Sequence, residues 1–223
     1  MAEKFSETVS FDESKKHAPT VLGDVLVLGL GKSGKAASTY FAKQLGSRVA
    51  SLTVYAGTSS VQAQDFAKSL TSQGAVVLFD TEEVAGSYDL CVASPGISEN
   101  SAFYQSAASC SKELISEVEL AWRESAKDSV WVAITGTNGK TTTTSLIAHV
   151  LKECGKNVCA VGNIGDACIE EVSKEIYSCY VAEVSSYQLA SIKHFAPEVA
   201  VLLNITPDHL KWHGSFEAYA KAK

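Results

Sequence analysis

From residue 21 onward, short apolar runs alternate with stretches whose apolar residues recur at helical spacing. "DVLVLGL" (24–30), "RVASLTVY" (48–55), "AVVLF" (75–79) and "YDLCVAS" (88–94) read as strands. "KAASTYFAKQL", "SVQAQDFAKSLTSQG", "AFYQSAASC" and "SEVELAWRES" read as helices between and after them. Such alternation predicts a parallel sheet wrapped by helices, an α/β fold. The rhythm then restarts, with strands predicted at "VWVAIT" (130–135), "NVCAV", "CYVAEV" and "VAVLLNI". "TTTTSLIAHVLKECG" is predicted as a helix with Leu146, Ile147, Val150 and Leu151 on its apolar face. "SFEAYAKAK" starts a last helix, with Ser215 as N-cap and Glu217 in the first turn. The polar stretch "RESAKDS" (123–129) is the expected junction, which gives a polar tail over 1–20, a first domain over 21–127 and a second over 128–223.

Composition narrows the function. Net charge is −6 with no basic run, so nothing in the charge pattern calls for nucleic acid. The six cysteines form no C-x-x-C pair and lie mostly beside apolar residues, as reduced thiols of a cytoplasmic protein would. No apolar stretch approaches the ~18 residues of a membrane span, and the N-terminal stretch has no apolar core of a secretory signal. Membrane insertion is not expected, and nothing in the pattern asks for more than a monomer.

The densest chemistry lies in "AITGTNGKTTTTSLI" (133–147). A triphosphate loop needs backbone N–H groups at a helix N-terminus, a lysine for the β/γ-phosphates and a hydroxyl for magnesium. Gly136, Thr137, Asn138 and Gly139 supply the turn, Lys140 the charge, and Thr141 and Thr142 the hydroxyls. The usual first glycine is replaced by Ile134, with Gly136 two residues later; no phosphate-contacting group is lost by this. ATP and Mg2+ are therefore the expected cofactors.

Three neighbouring strands are apolar until their last residues and then turn polar: Glu183 with Ser185 and Ser186, Asn204 through Thr206 and Asp208 to His209, and Asn163 between glycines. In a parallel sheet, ligands sit beyond the carboxyl ends of the strands. Glu183 and His209 are thus candidate magnesium ligands, a hard cation favouring carboxylate oxygen and tolerating imidazole. A zinc-protease reading of His209 and His213 fails, because Leu210 stands where that motif needs Glu. His17, His149 and His194 read as solvated surface residues.

"GLGKSG" (29–34) matches the dinucleotide fingerprint G-x-G-x-x-G. That fingerprint also needs an acid some 20 residues on to bind ribose, and no Asp or Glu occurs between Asp24 and Asp65. A nicotinamide cofactor is disfavoured; a diphosphate cradle for another ligand remains, with "ASPGIS" (93–98) as its second wall.

"GLGKSG", "SPGI", "TGTNGKTTT", "GNIG", "EVSSYQL" and "NITPDHLKWHG" follow one another here in the order found in the Mur ligases, which the chain resembles from about residue 22 onward. The resemblance implies a Rossmann-like N-terminal domain holding a UDP-sugar, followed by a truncated P-loop-type ATP-binding α/β domain. It implies an ATP-dependent amide ligase of peptidoglycan precursor synthesis working through an acyl phosphate. "SPGI", "GNIG" and "EVSSYQL" point to the branch that joins D-glutamate to UDP-N-acetylmuramoyl-L-alanine. Carried over by position, Lys140 would hold the β/γ-phosphates, Thr141 and Glu183 the first magnesium, and His209 the second. By spacing and the Y-x-x-x-K pattern from Tyr219, Lys223 would be the lysine that family members carbamylate, with Lys221 as the alternative, which makes Lys140, His209 and Lys223 the implied catalytic set. Gly31, Lys32, Ser33, Ser94, Asn163 and His209 would contact the UDP-sugar substrate. The chain departs from the family in two places: "Tyr55-Ala56-Gly57" stands where Asp-Thr-Arg often holds uracil, and Lys211 where an Asp is common. The family's C-terminal domain has no counterpart here, so the chain is expected to be a fragment that does not catalyse alone. Three other readings stay open: another Mur-type ligase, a folylpolyglutamate-type ligase, and a non-catalytic nucleotide-binding module.

Overall fold

In the computed structural model, residues 9–223 are described, and residues 1–8 of the expected tail lie outside the described residues. The first half runs β1 (Gly23–Leu28), α1 (Lys32–Ala42), β2 (Val49–Tyr55), α2 (Val61–Ser72), β3 (Val76–Leu78), β4 (Tyr88–Ala93), α3 (Ala102–Ser109), β5 (Ser111–Ser116) and α4 (Glu117–Glu124). The second runs β6 (Val130–Thr135), α5 (Lys140–Glu153), β7 (Val158–Gly162), α6 (Cys168–Val172), β8 (Cys179–Glu183), α7 (Ser186–Ala190), β9 (Val199–Leu202), α8 (Leu210–His213) and α9 (Phe216–Ala222). The protein is a mixed α/β structure with two sheets, ordered β3-β2-β1-β4-β5 and β7-β8-β6-β9. Every strand pairing within them is parallel.

Strand β1 shows why the first sheet is buried on both faces. Val25 and Val27 pack with Leu52, Val54, Leu90 and Phe41 on one side. Leu26 and Leu28 pack with Cys91 and Ala107 on the other. The first of these clusters continues into the second sheet through Trp131, Ala133, Tyr180 and Ala182, so one apolar core joins the halves.

Several expectations need correction. Residues 9–20 are no free tail: Ala18 is fully buried, Lys16 N donates to the Ser125 carbonyl at 3.0 Å, and Lys16 Nζ pairs with Glu198 at 2.5 Å. Within the expected junction, Ala126, Lys127 and Asp128 are exposed, while Arg123, Glu124, Ser125 and Ser129 are buried. Their polarity is matched locally: Arg123 pairs with Glu113 and Glu119, Glu124 with Arg48, and Ser125 Oγ accepts from Trp131 Nε1 at 3.0 Å. Composition cannot distinguish a hydrated charge from a paired one. On α5 the face turned to the sheet carries Thr144, Ile147, Ala148 and Leu151, while Leu146 and Val150 point outward. Strand β5 and the short helices α6, α7 and α8 were not expected. His17 is half-buried, its ring 4.8 Å from that of His194, while His149 and His194 are exposed. All six cysteines are free, but only Cys91, Cys168 and Cys179 are buried.

Candidate active site

The strand β6 runs into α5 through a turn whose backbone explains its glycines. Gly139 is the N-cap of α5 in the left-handed region (φ 85°), and Gly136 has φ 150°. A Cβ on Gly136 would stand 3.0 Å from Leu203 Cβ, so the turn lies close against the end of β9. Asn204 holds it there: its Oδ1 accepts from Asn138 N at 3.0 Å and its Nδ2 donates to the Asn138 carbonyl at 3.1 Å. Thr137 Oγ1 lies 2.8 Å from Tyr219 Oη and accepts from Thr206 N at 2.9 Å.

Two ammonium groups converge on this turn. Lys140 Nζ donates to the Gly136 and Thr137 carbonyls, each at 2.9 Å. Lys223 Nζ donates to the Gly136 carbonyl at 2.9 Å and to Thr135 Oγ1 at 3.0 Å. Burial and the charge of Lys140 push the Lys223 ammonium down to about 8. Both lysines thus share the Gly136 carbonyl oxygen.

At the mouth of α5, Thr141 Oγ1 donates to Glu183 Oε2 at 2.7 Å. Glu183 is only 1% exposed, and its Oε1 accepts from Asn163 Nδ2 at 2.6 Å. A hydroxyl and a carboxylate oxygen this close are donors a hard divalent cation accepts, so the pair fits magnesium. Thr142 is exposed on the first turn of α5.

His209 stands apart from that pair. It is the left-handed N-cap of α8 (φ 53°), its Nδ1 lies 3.5 Å from Asp208 and its ring 4.9 Å from that of Tyr187. Tyr219 is the common neighbour of His209 and Lys223: the His209 ring centroid is 6.3 Å away and Lys223 Nζ 5.2 Å. His213 is buried, with Nε2 2.9 Å from Ser186 Oγ, and burial lowers its basicity. Among the described residues no group of three or more His, Cys, Asp or Glu could hold a metal ion.

A cavity of about 600 Å³ opens beside these groups. Gly31, Lys32, Ser33 and Ser94 from the first half line it together with Asn163 from the second. Lys32 Nζ donates to the Gly165 carbonyl across that boundary, and Ser94 Oγ donates to the Gly29 carbonyl at 3.2 Å. His209 is not among its lining residues.

Two residues here were not among the expected site residues. Gln188 lines the cavity and is 3% exposed; its Oε1 accepts from Ser185 N and Ser185 Oγ, each at 2.9 Å. Its signal was present as Ser185-x-x-Gln188, a capping box directly after a strand. Tyr219, whose spacing to Lys223 is the Y-x-x-x-K pattern, is itself buried and bonded to Thr137.

These features define a parallel α/β protein with two glycine-rich strand-to-helix turns, the first lining a cavity and the second joined to that cavity's Asn163 by one buried carboxylate. Residues 134–223 match the Mur ligase middle domain. The chain is 35% identical over 222 residues to UDP-N-acetylmuramoylalanine–D-glutamate ligase of Corynebacterium diphtheriae, covering 97% of this chain and 46% of the relative. To the ligase of that name from Koribacter versatilis it is 41% identical over 204 residues, 89% of this chain and 43% of the relative. The chain thus spans less than half the length of these curated relatives. Its fold is similar to that of UDP-N-acetylmuramate:L-alanyl-gamma-D-glutamyl-meso-diaminopimelate ligase from Neisseria meningitides, with a TM-score of 0.51 and 17% identity over 91% of this chain and 66% of that one. No helix among the described residues is long and apolar enough to cross a membrane.

Proposed function

We propose that the chain is the substrate-gathering part of an ATP-dependent ligase of peptidoglycan precursor synthesis, which adds D-glutamate to UDP-N-acetylmuramoyl-L-alanine. The observation that carries the reading is Glu183: one buried carboxylate accepts from Thr141 on the α5 turn and from Asn163 in the cavity. A reaction that joins a nucleotide's γ-phosphate to a substrate carboxylate needs its two ligands side by side, and Glu183 is where the two sites meet. The names of the relatives supply the identity of the substrates.

On this reading residues 21–127 form a Rossmann-like domain and 128–223 part of a P-loop-type domain. The α5 N-terminus presents backbone N–H groups and its dipole to the phosphates of ATP. Lys140 leaves its own loop carbonyls to neutralise the β/γ-phosphates. Mg2+, held by Thr141 and Glu183, would supply Lewis-acid charge neutralisation as two anions approach. His209 and Lys223 are the groups toward a second ion; the depressed Lys223 amine is the form able to add carbon dioxide and become a carbamate. Gly31, Lys32, Ser33 and Ser94 receive the diphosphate side of the UDP-sugar, and Asn163 its acyl end. The carboxylate takes the γ-phosphoryl group, giving an acyl phosphate and ADP; the D-glutamate amine then displaces phosphate to form the amide. Six free thiols accord with a cytoplasmic setting.

Titration of a fluorescent ATP analogue with magnesium into the wild type and into Lys140→Ala tests the nucleotide half. Saturable binding that the variant loses supports the reading; equal binding by both proteins removes the α5 turn from it.

A further inference from the structure

Glu117 is a buried acid that the proposed chemistry does not use. It opens α4, is 1% exposed, and lies where α4 meets α6 of the other half. Its Oε1 accepts from Ile169 N at 2.6 Å, in the first turn of α6, where no side chain of the α6 N-cap (Ala167) does so. Its Oε2 is buried without a hydrogen-bond partner. The loop that enters α6 runs from Gly162 to Asp166; it carries Asn163 and offers the Gly165 carbonyl to Lys32. On its other side the loop is tied to the second sheet: Gly162 N donates to the Asp166 carbonyl at 3.2 Å, Asn163 N to the Glu183 carbonyl at 2.9 Å and Asn163 Nδ2 to Glu183 Oε1 at 2.6 Å.

We propose that Glu117 is a positioning residue for the cavity: by capping α6 across the boundary between the halves, it fixes the 162–166 loop, and with it Asn163 and the Lys32 anchor, against the first glycine turn. The charged and titratable groups facing it are Lys32 from α1 and Glu170 and Cys168 from α6. Burial raises its carboxyl to about 7, against the pull of Ile169 N and Lys32. Near neutrality it therefore passes from an uncharged cap to a buried anion whose charge competes with a bound anion for Lys32, a residue lining the cavity. Affinity of the cavity for an anion should weaken as pH rises from 6 to 8.

The test rests on the uridine-nucleotide reading of the cavity for one of its arms, and uses UDP as the probe. Glu117→Gln reproduces the uncharged cap and should bind UDP within about twofold of the wild type at pH 6, with no loss of affinity up to pH 8. Glu117→Ala should bind on the order of tenfold more weakly at either pH while keeping the wild-type circular dichroism. The second arm is amide exchange, which needs no ligand: Ile169 and Gly165 should exchange on the order of tenfold faster in Glu117→Ala and at the wild-type rate in Glu117→Gln. Unchanged exchange in Glu117→Ala overturns the proposal. So does wild-type UDP affinity in that variant, or a Gln variant that behaves like Ala. If the wild type takes no UDP, the uridine-nucleotide reading fails and the exchange arm alone decides the role of Glu117.

Discussion

Gly34 and Gly31 belong to one glycine turn and should respond to the same substitution in opposite ways. A Cβ built on Gly34 would lie 1.9 Å from the Gly29 carbonyl oxygen and 2.9 Å from Ser94 Oγ. The first is a backbone atom that no rotamer change can move, and the contact is about 1 Å shorter than carbon and oxygen tolerate. Relief requires α1 to shift away from the turn after β1. Overpacking of this kind costs roughly 1–3 kcal/mol, and the upper end applies where a backbone must give way. For a domain of this size that is about 6–12 °C in Tm, at roughly 2–4 °C per kcal/mol. The shift also parts Lys32 and Ser33 from Ser94 across the cavity they line. A Cβ on Gly31 meets nothing within 4 Å, and its φ of −68° suits any residue; Gly31→Ala should leave Tm within about 2 °C. Thermal unfolding followed by circular dichroism, with a UDP titration of each variant, is the assay. A Gly34→Ala protein that unfolds with the wild type, or a Gly31→Ala protein damaged as badly, would refute the packing argument.

Three further outcomes follow from buried charges. Glu119→Ala strips Arg123 of one buried partner and the 193–195 backbone of its acceptor, which should cost about 3–5 kcal/mol and be visible as an early urea midpoint; a loss below about 1 kcal/mol would contradict this role. Glu117 binds its proton more tightly folded than unfolded, about 7 against an ordinary 4.5. Its stabilising contribution is therefore whole below pH ~4.5 and is lost as pH rises through ~7, by on the order of 3 kcal/mol. Urea titrations of the wild type and Glu117→Gln should coincide near pH 4 and diverge by pH 8 with the variant the more stable; parallel pH profiles would sink that assignment. Glu183→Ala should abolish the magnesium dependence of ATP-analogue binding and leave Asn163 and Thr141 without their acceptor, and magnesium dependence that survives would exclude Glu183 as a ligand.

How much of this was legible in the sequence depends on how far each signal reaches. The turns at 29–34 and 136–141 announce themselves because glycine, lysine and hydroxyl positions are local constraints on a strand-to-helix turn. The Ser215 cap is likewise local, and Ser215 Oγ accepts from Ala218 N. Strand β5 stayed hidden because it is the edge of its sheet: Ser111, Lys112 and Glu113 leave only its last three residues buried. The burial within "RESAKDS" was not legible because the partners of Arg123, Glu124 and Ser125, namely Glu113, Arg48 and Trp131, are set by topology rather than by neighbouring residues. The stripe on α5 was placed one residue too wide, since Leu146 and Val150 sit about 100° round the helix from Ile147 and Leu151. Gln188 and Tyr219 become site candidates only when the fold brings them to the cavity and to Thr137.

The central claim is that the first glycine turn holds a UDP-sugar rather than a nicotinamide dinucleotide. Calorimetric titration of the chain with UDP-N-acetylmuramoyl-L-alanine, with NADH as the control ligand, tests it most directly. The account predicts saturable binding of the UDP-sugar and none of NADH; binding of NADH alone would contradict it.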